Sequence, residues 1–279
     1  MDEQPRAYAQ AETEERLRHG SSFGAAAAAY AEHRPDYAEA AVRWALEPVW
    51  SRQPLRVIDL GAGTGKLTAT LVRLGVDVTA VEPDPDMLAE LRRELASVRS
   101  VPGHAEEIPL PDASVDAVLA GQAMHWFDLD RALPEIARVL TPGGVLAGLW
   151  NVDDDRVGWV AEFAEMTKRK TSVTLLRWRD AAAQSRQEHL IAAGYGLFPA
   201  AQTGEFEHGQ ARTAETLLAT IATHSNFLVM EESERATLLA RVGDFLHARP
   251  ETSSDEFVLP MLTVVLRALH ATYTPAAAT

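Results

Sequence analysis

The chain has 279 residues, of which 47% are hydrophobic, and this is enough to bury a sizeable core. It contains no cysteine, which excludes disulfides, cysteine-ligated zinc and thiol catalysis. The formal net charge of −14 disfavours broad binding to nucleic-acid phosphates, and no apolar run approaches the roughly 20 residues that cross a bilayer. Because the start of the chain is polar and acidic, without the apolar stretch of a secretory signal, we expect a cytoplasmic protein.

The first 54 residues precede the first predicted strand. Residues 1–20 are expected to form a loosely ordered lead-in. Residues 21–54 are expected to form short helices, because the alanine run Ala25–Ala29 favours helix and Pro35 interrupts it. We expect these helices to act as a lid over the functional site.

Apolar, β-branched segments then alternate with amphipathic helical segments up to residue 151. Strands are predicted at 55–60, 76–81, 98–101, 115–120 and 145–150. Helices are predicted at 66–74, 85–95 and 130–140, with Asp84 as an N-cap and a turn over Thr141–Gly144 after the third helix. This alternation predicts an α/β fold whose sheet is mostly parallel and carries right-handed crossovers.

After Asn151 the regular alternation of strands and helices ends, and most predicted elements are helices. Helices are predicted at 159–169, 181–193, 213–224 and 231–248, and strands at 205–211 and 257–266. No flexible linker separates the two halves. We therefore expect a Rossmann-like, seven-stranded, mostly parallel sheet with helices on both faces, in which residues 55–151 form the core and residues 152–279 add helices and the last strands.

A glycine-rich loop, Gly61–Gly65, follows the first predicted strand. Glycines between a strand and a helix let a ligand approach the backbone closely. The spacing fails the nicotinamide fingerprint, because Lys66 stands where the third glycine belongs, and it fails the P-loop pattern at Leu60 and Leu67. Asp59 would repel a pyrophosphate but not the ammonium and sulfonium of S-adenosylmethionine (SAM).

A second carboxylate, Glu82, ends the second predicted strand. At that position a carboxylate can accept hydrogen bonds from both hydroxyls of a ribose. A helix-capping role is the alternative for Glu82, although Asp84 already fills the cap position.

Several motifs together resemble the class I SAM-dependent methyltransferases, particularly the type 11 group. The resemblance covers about Phe23 to Asn151 and rests on Tyr30–Tyr37, Asp59–Gly65, Val81–Asp84, Gly103–Pro109, Gly121–Phe127 and Ala137–Gly144. The overall pattern is also similar to trans-aconitate methyltransferases, which methylate a carboxyl oxygen. The resemblance implies an antiparallel last strand and SAM as cofactor. No metal is expected, because the histidines are scattered and show no metal-ligand spacing.

The resemblance also implies a set of cofactor-binding residues. These are Tyr30, Arg34, Asp59, Gly61, Ala62, Gly63, Glu82, Pro83, Met87, Ala105, Glu106 and Gln122. The backbone around Gly61 and Gly63 would hold the methionine portion, and Glu82 the ribose. Ala105 and Glu106 would lie at the adenine amine, and Met87 or Pro83 would pack on the adenine ring. Tyr30 and Arg34 would reach the carboxylate of SAM, and Gln122 would face its methyl end.

Candidates for acid–base chemistry on the acceptor side are His125 and Tyr30. His125 is expected at the carboxyl end of the fourth strand, where it either acts as a base or lines the pocket. Trp126, Phe127 and Trp150 either wall an acceptor pocket or close the core. The run Asp153–Asp155 is expected to be a solvated turn rather than a magnesium site.

The sequence therefore predicts a SAM-dependent methyltransferase that acts on a small molecule and works mainly by aligning donor and acceptor. Two other functional classes stay open at this point. One is a catalytically silent SAM-binding regulatory or assembly protein, and the other is a nicotinamide-dependent oxidoreductase. Neither the acceptor nor the oligomeric state follows from the sequence.

Overall fold

The computed structural model describes residues 35–167, 196–222, 227 and 230–271. The predicted lead-in, the start of the predicted lid with Tyr30 and Arg34, and the predicted helix at 181–193 lie outside the described residues. Within them, no helix is both apolar enough and long enough to cross a membrane.

Seven strands form one sheet, as the sequence predicts. They are β1 (Arg56–Leu60), β2 (Asp77–Glu82), β3 (Arg99–Pro102), β4 (Val115–Gly121), β5 (Leu140–Asp153), β6 (Ala201–Arg212) and β7 (Phe257–Leu269). Their order is β3-β2-β1-β4-β5-β7-β6. The first five strands pair in parallel, whereas β7 runs antiparallel to both β5 and β6. The expected antiparallel last strand is confirmed.

Apart from α1, which the sequence predicts only as one of the short helices within residues 21–54, the helices described at both ends begin and end within one residue of the predicted bounds. They are α1 (Glu39–Leu46), α2 (Lys66–Arg73), α3 (Pro85–Glu94), α4 (Leu129–Val139), α5 (Gly158–Thr167), α6 (Ala214–Ala222) and α7 (Glu232–His247). Short 3₁₀ turns occupy Glu47–Val49 and Met124–Trp126. The predicted N-cap of α3 is confirmed, because the Asp84 carboxylate accepts hydrogen bonds from the backbone of Asp86 and Met87.

The predicted turn at Thr141–Gly144 is wrong, because these residues belong to β5. Val115 pairs with Leu140 and Ala117 with Val145, so the extra residues of β5 bulge out between two registered pairs. Gly143 takes a left-handed φ of 68° inside this bulge. The Pro-Gly-Gly sequence therefore marks an irregular strand and not the gap between a helix and a strand.

Each face of the sheet is covered by helices. On one face α1 and α2 bury apolar residues such as Leu46 and Leu71 against β1, β4 and β5. On the other face α4 buries Leu133 and Ile136. A further apolar cluster joins α5, α6 and α7 to the first residues of β7. The resulting core leaves the carboxyl ends of β1, β2 and β4 next to one another at one edge.

Candidate functional site

The predicted cofactor residues gather where β1, β2 and β4 end. Parallel pairing sets Asp59 of β1 level with Ala80 of β2 and Leu119 of β4. The segments that follow these strands must therefore begin at the same edge of the sheet. This edge is where ligands bind in open parallel sheets.

The first segment at this edge is the glycine loop, in which Gly61, Gly63 and Gly65 have φ angles of 70°, 56° and 90°. An added Cβ on Gly61 would lie 2.7 Å from the Cβ of Ala123, so Gly61 permits a close approach to the β4 side. Within the described part of the chain, an added Cβ on Gly63 would meet nothing within 4 Å. Gly61 thus permits close packing, whereas Gly63 leaves its backbone open to approach.

Glu82 connects the glycine loop to the segment after β2. Its carboxylate accepts hydrogen bonds from the backbone N–H of Gly63 at 2.8 Å and of Asp84 at 2.9 Å. Burial raises the pKa of Glu82, while these two bonds lower it. A carboxylate has about four lone-pair positions, so each oxygen can still accept another donor. The Glu82 carboxylate is therefore fixed in orientation and can accept further hydrogen bonds.

Asp59 is the most buried acidic group of the site. The Thr68 hydroxyl donates a hydrogen bond to its Oδ2 at 2.6 Å, whereas its buried Oδ1 has no hydrogen-bond partner among the described residues. Burial raises its pKa to about 7, with the nearby charge of Glu82 adding to the shift and the bond from Thr68 opposing it. Thr64 Oγ1, in the glycine loop, is also buried without a partner. Orphaned polar atoms beside an open glycine loop suit a cationic, hydrogen-bonding ligand.

Gln122 turns the chain directly after β4 and has a positive φ of 54°, which is uncommon for a residue with a side chain. Its Nε2 donates a hydrogen bond to the backbone oxygen of Asn151, at the end of β5, at 2.9 Å. The side-chain amide of Gln122 is therefore fixed between two strand ends, at the edge that also holds the glycine loop.

The residues expected at the adenine end surround the segment after β3. Ala105 is buried, and the carboxylate of Glu106 accepts a hydrogen bond from the backbone of Asp128 at 2.8 Å. Met87 is buried on α3, whereas Pro83 is exposed. Both stay candidates for the adenine ring, although only Pro83 is freely accessible at the surface of this structure.

The acceptor-side aromatic residues follow β4 or lie in β5, and all of them are partly buried. Phe127 and Trp150 pack against the core, and the ring of Phe127 lies 3.7 Å from the position of an added Cβ on Gly61. His125 lies in the 3₁₀ turn after β4, with its ring centre 4.7 Å from that of Trp126. His125 is therefore placed after β4 as expected, and its catalytic role stays a prediction.

The predicted solvated turn at Asp153–Asp155 is wrong for its first two residues. Asp153 is the last residue of β5 and is fully buried, and Asp154 is nearly so. Both oxygens of Asp154 bind the guanidinium of Arg156 at 2.7 Å. Among the residues that the structure describes, no group of three or more potential ligands could hold a metal ion.

Comparisons with known proteins agree on the family of this chain. A family model described as a methyltransferase domain matches residues 58–148. An uncharacterized methyltransferase of Mycobacterium tuberculosis is 42% identical over 248 residues, which are 88% of this chain and 95% of that protein. The chain belongs to the SAM-dependent methyltransferases. This membership decides against the nicotinamide-dependent alternative.

One further relative and one solved structure are also similar to this methyltransferase. A malonyl-[acyl-carrier protein] O-methyltransferase of Pectobacterium atrosepticum is 34% identical over 144 residues, covering 49% of this chain and 55% of that protein. A solved structure from Anaeromyxobacter dehalogenans, described as a candidate type II methyltransferase, is 26% identical. It superposes with a TM-score of 0.58 and covers 86% of this chain and 98% of the other.

Two contacts beside the site are missed by sequence reasoning. Asp36 pairs with Lys66, the first residue of α2, with an Nζ–Oδ1 distance of 3.7 Å. Thr263 of β7 donates a hydrogen bond to the side-chain oxygen of Asn151 at 2.7 Å. No local motif signals these contacts, because each joins residues that are far apart in the sequence.

The raised pKa of Asp59 predicts how the stability of the ligand-free methyltransferase depends on pH. Between the usual aspartate pKa of 3.8 and about 7, the folded state keeps a proton that the unfolded state loses. The contribution of Asp59 to stability is thus complete below that range and lost as the pH rises through it. Relative to Asp59→Asn, the wild type should lose up to about 1.4 kcal/mol of unfolding free energy per pH unit.

Urea unfolding of the wild type and of Asp59→Asn, from pH 4 to pH 8 without ligand, measures this difference. The asparagine keeps an acceptor for the Thr68 hydroxyl but carries no charge. Comparing the two proteins cancels the titrating groups that do not interact with Asp59, such as Asp116, whose pKa is lowered by its bonds to Arg56 and Arg52 against the effect of burial. Parallel pH profiles would contradict the raised pKa.

Proposed function

We propose that this methyltransferase binds SAM at the carboxyl edge of β1, β2 and β4 and transfers the methyl group to a small-molecule acceptor. The observation that carries the assignment is the open left-handed loop at Gly63, bonded to a buried Glu82 and adjacent to a half-satisfied Asp59. The loop supplies close backbone access, and the two carboxyl groups supply a negative potential that favours a cationic ligand.

The resemblance to class I methyltransferases suggests a role for each residue of the site. Glu82 would hold the ribose hydroxyls, and Asp59 would compensate the positive charge of the methionine end. Gln122 would lie at that end, since its side chain is held at the end of β4. Pro83, Met87, Ala105 and Glu106 would form the adenine end. Tyr30 and Arg34 would complete the site from the predicted lid in residues 21–54.

Catalysis requires mainly alignment and the exclusion of water. SAM supplies a methyl group that is already activated on a sulfonium, so the chain has to orient the acceptor in line with it. A base is needed only when the acceptor must lose a proton, and His125 is the candidate. The acidic charge of the chain favours a small metabolite over nucleic acid as acceptor. A carboxylate acceptor and a cytoplasmic location stay predictions.

Transfer of tritium from methyl-labelled SAM into a metabolite extract distinguishes this enzyme from a catalytically silent SAM-binding protein. We expect the label to appear in a small-molecule fraction when wild-type protein is present. The Gly63→Ala variant serves as the control, because it should fold and yet transfer little label. Binding of SAM without any transfer to metabolites would favour the silent alternative.

Gly63→Ala should weaken binding of S-adenosylhomocysteine (SAH) strongly while the fold survives. The added methyl group meets no protein atom within 4 Å, so its cost to folding is only the positive φ, about 1–2 kcal/mol. In the complex, however, the methyl group would occupy the space that the ligand needs. Calorimetric titration with SAH measures the loss of affinity.

Gly75→Ala is a matched control for this substitution. Gly75 also has a positive φ, of 76°, with nothing within 4 Å of an added Cβ, but it follows α2 at the opposite edge of the sheet. It should lose similar stability and keep its affinity for SAH. Equal effects of the two variants on SAH binding would show that the glycine loop is misassigned.

Glu82→Gln should lower the affinity for SAH about tenfold to a hundredfold. The substitution keeps the shape of the side chain but removes the charge that strengthens hydrogen bonds from ribose hydroxyls, worth about 1.5–3 kcal/mol. The neighbouring Asp84→Ala should instead lose the α3 cap and about 1 kcal/mol of stability. Calorimetry and thermal unfolding separate the two roles, and equal losses of affinity would contradict the division.

A further inference from the structure

Residues 35–38, which have no regular secondary structure, are hydrogen-bonded to Asn151 near the end of β5 and to Thr263 in the middle of β7. The side-chain amide of Asn151 donates hydrogen bonds to the backbone oxygens of Pro35 at 3.3 Å and of Asp36 at 3.0 Å. The backbone N–H of Ala38 donates to the Thr263 hydroxyl at 3.0 Å. Because these bonds lie on both sides of Tyr37, the backbone of Tyr37 is held from both directions.

Asn151 and Thr263 form one unit, which we call the strand-end clamp. The Thr263 hydroxyl donates to Asn151 Oδ1 at 2.7 Å, and the two residues face each other in the β5–β7 pairing. Thr263 is fully buried and Asn151 nearly so. Buried polar side chains are costly unless they are hydrogen-bonded, and the backbone of residues 35–38 supplies the missing partners.

The clamp places the phenol of Tyr37 against Gly121, the last residue of β4. A Cβ added to Gly121 would lie 2.5 Å from the Tyr37 hydroxyl oxygen and 2.8 Å from Cζ. The same Cβ would lie 3.2 Å from Leu67, which is the second residue of α2. The tip of the Tyr37 ring therefore meets the segment that leads into Gln122 and the helix that follows the glycine loop.

The ring of Tyr37 by itself is explained by packing, because it belongs to the apolar cluster beneath α1 and α2. A phenylalanine would fill the same space. The hydroxyl lies at the end of β4, where the segment that leads into Gln122 begins. A phenol can both donate and accept a hydrogen bond, and the methionine end of the cofactor offers a carboxylate and an ammonium.

We propose that the Tyr37 hydroxyl lines the methionine end of the cofactor pocket and hydrogen-bonds the bound cofactor, with Asn151 and Thr263 as positioning residues. This assignment rests on the proposed function, because it requires the pocket at the ends of β1 and β4. It adds a cofactor-contacting residue from the chain before α1 to the set of residues supplied by the sheet.

Tyr37→Phe, titrated with SAH in a calorimeter, tests the contact. The substitution keeps the ring and removes only the hydroxyl, so the expected loss of affinity is that of one hydrogen bond, about threefold to tenfold. Unchanged affinity for SAH in this variant would overturn the proposal. If the wild-type protein itself does not bind SAH, the proposed function fails instead.

Thr252→Val is the matched control for loss of a buried hydroxyl. The Thr252 hydroxyl donates to the backbone oxygen of Leu246 at 2.6 Å, close to the end of α7 and among different elements from those of the site. This variant should unfold at a lower temperature and bind SAH as the wild type does. A similar loss of SAH affinity in Thr252→Val and Tyr37→Phe would mean that destabilisation explains both, and would overturn the contact.

A double-mutant cycle tests the positioning role of the clamp. Thr263→Val removes the acceptor for the Ala38 N–H and the donor to Asn151, so it should weaken SAH binding by releasing Tyr37. The Tyr37→Phe/Thr263→Val double variant should then bind SAH no more weakly than the worse single variant, because both changes remove one contact. Additive losses would overturn the role of Thr263.

Discussion

Parallel pairing of β1 with β2 and β4 is the constraint on which the site depends. It places the carboxyl ends of the three strands at one edge of the sheet. Each connection between these strands therefore has to cross back to the opposite edge before the next strand begins. Asp59, Glu82 and Gln122 are separated in the chain but leave the sheet at neighbouring points. The polar contacts described for the site lie at that edge, including the hydrogen bond from the backbone of the glycine loop to Glu82.

The carboxyl groups of Asp59 and Glu82 bring negative charge to this edge, where both side chains are buried from water. Burial raises the pKa of both Asp59 and Glu82, so neither carboxylate is in its most favourable environment in the ligand-free protein. A ligand with a positive charge and several hydrogen-bond donors relieves this condition, whereas a pyrophosphate would worsen it. The electrostatics and the spacing of the glycines therefore favour the same class of cofactor for independent reasons.

The region opposite the glycine loop is organised by the antiparallel part of the sheet. Because β7 pairs with β5, Thr263 meets Asn151, and together they hold residues 35–38 near the end of β5. Asn151 also accepts a bond from Gln122 through its backbone oxygen. The end of β5 thus connects the chain before α1 to the end of β4, and this connection is the basis for assigning Tyr37 to the pocket.

Local patterns in the sequence determined the strands and helices, the Asp84 cap, the glycine loop and the two carboxylates, because each depends on neighbours within a few residues. Tertiary structure alone decided that Gly61 serves packing while Gly63 faces open space, since Ala123 approaches only one of them. It also drew Thr141–Gly144 into β5, buried Asp153, and brought Asn151 and Thr263 together. These outcomes depend on strand pairing between distant segments, and the periodicity of a single segment carries no information about its partner.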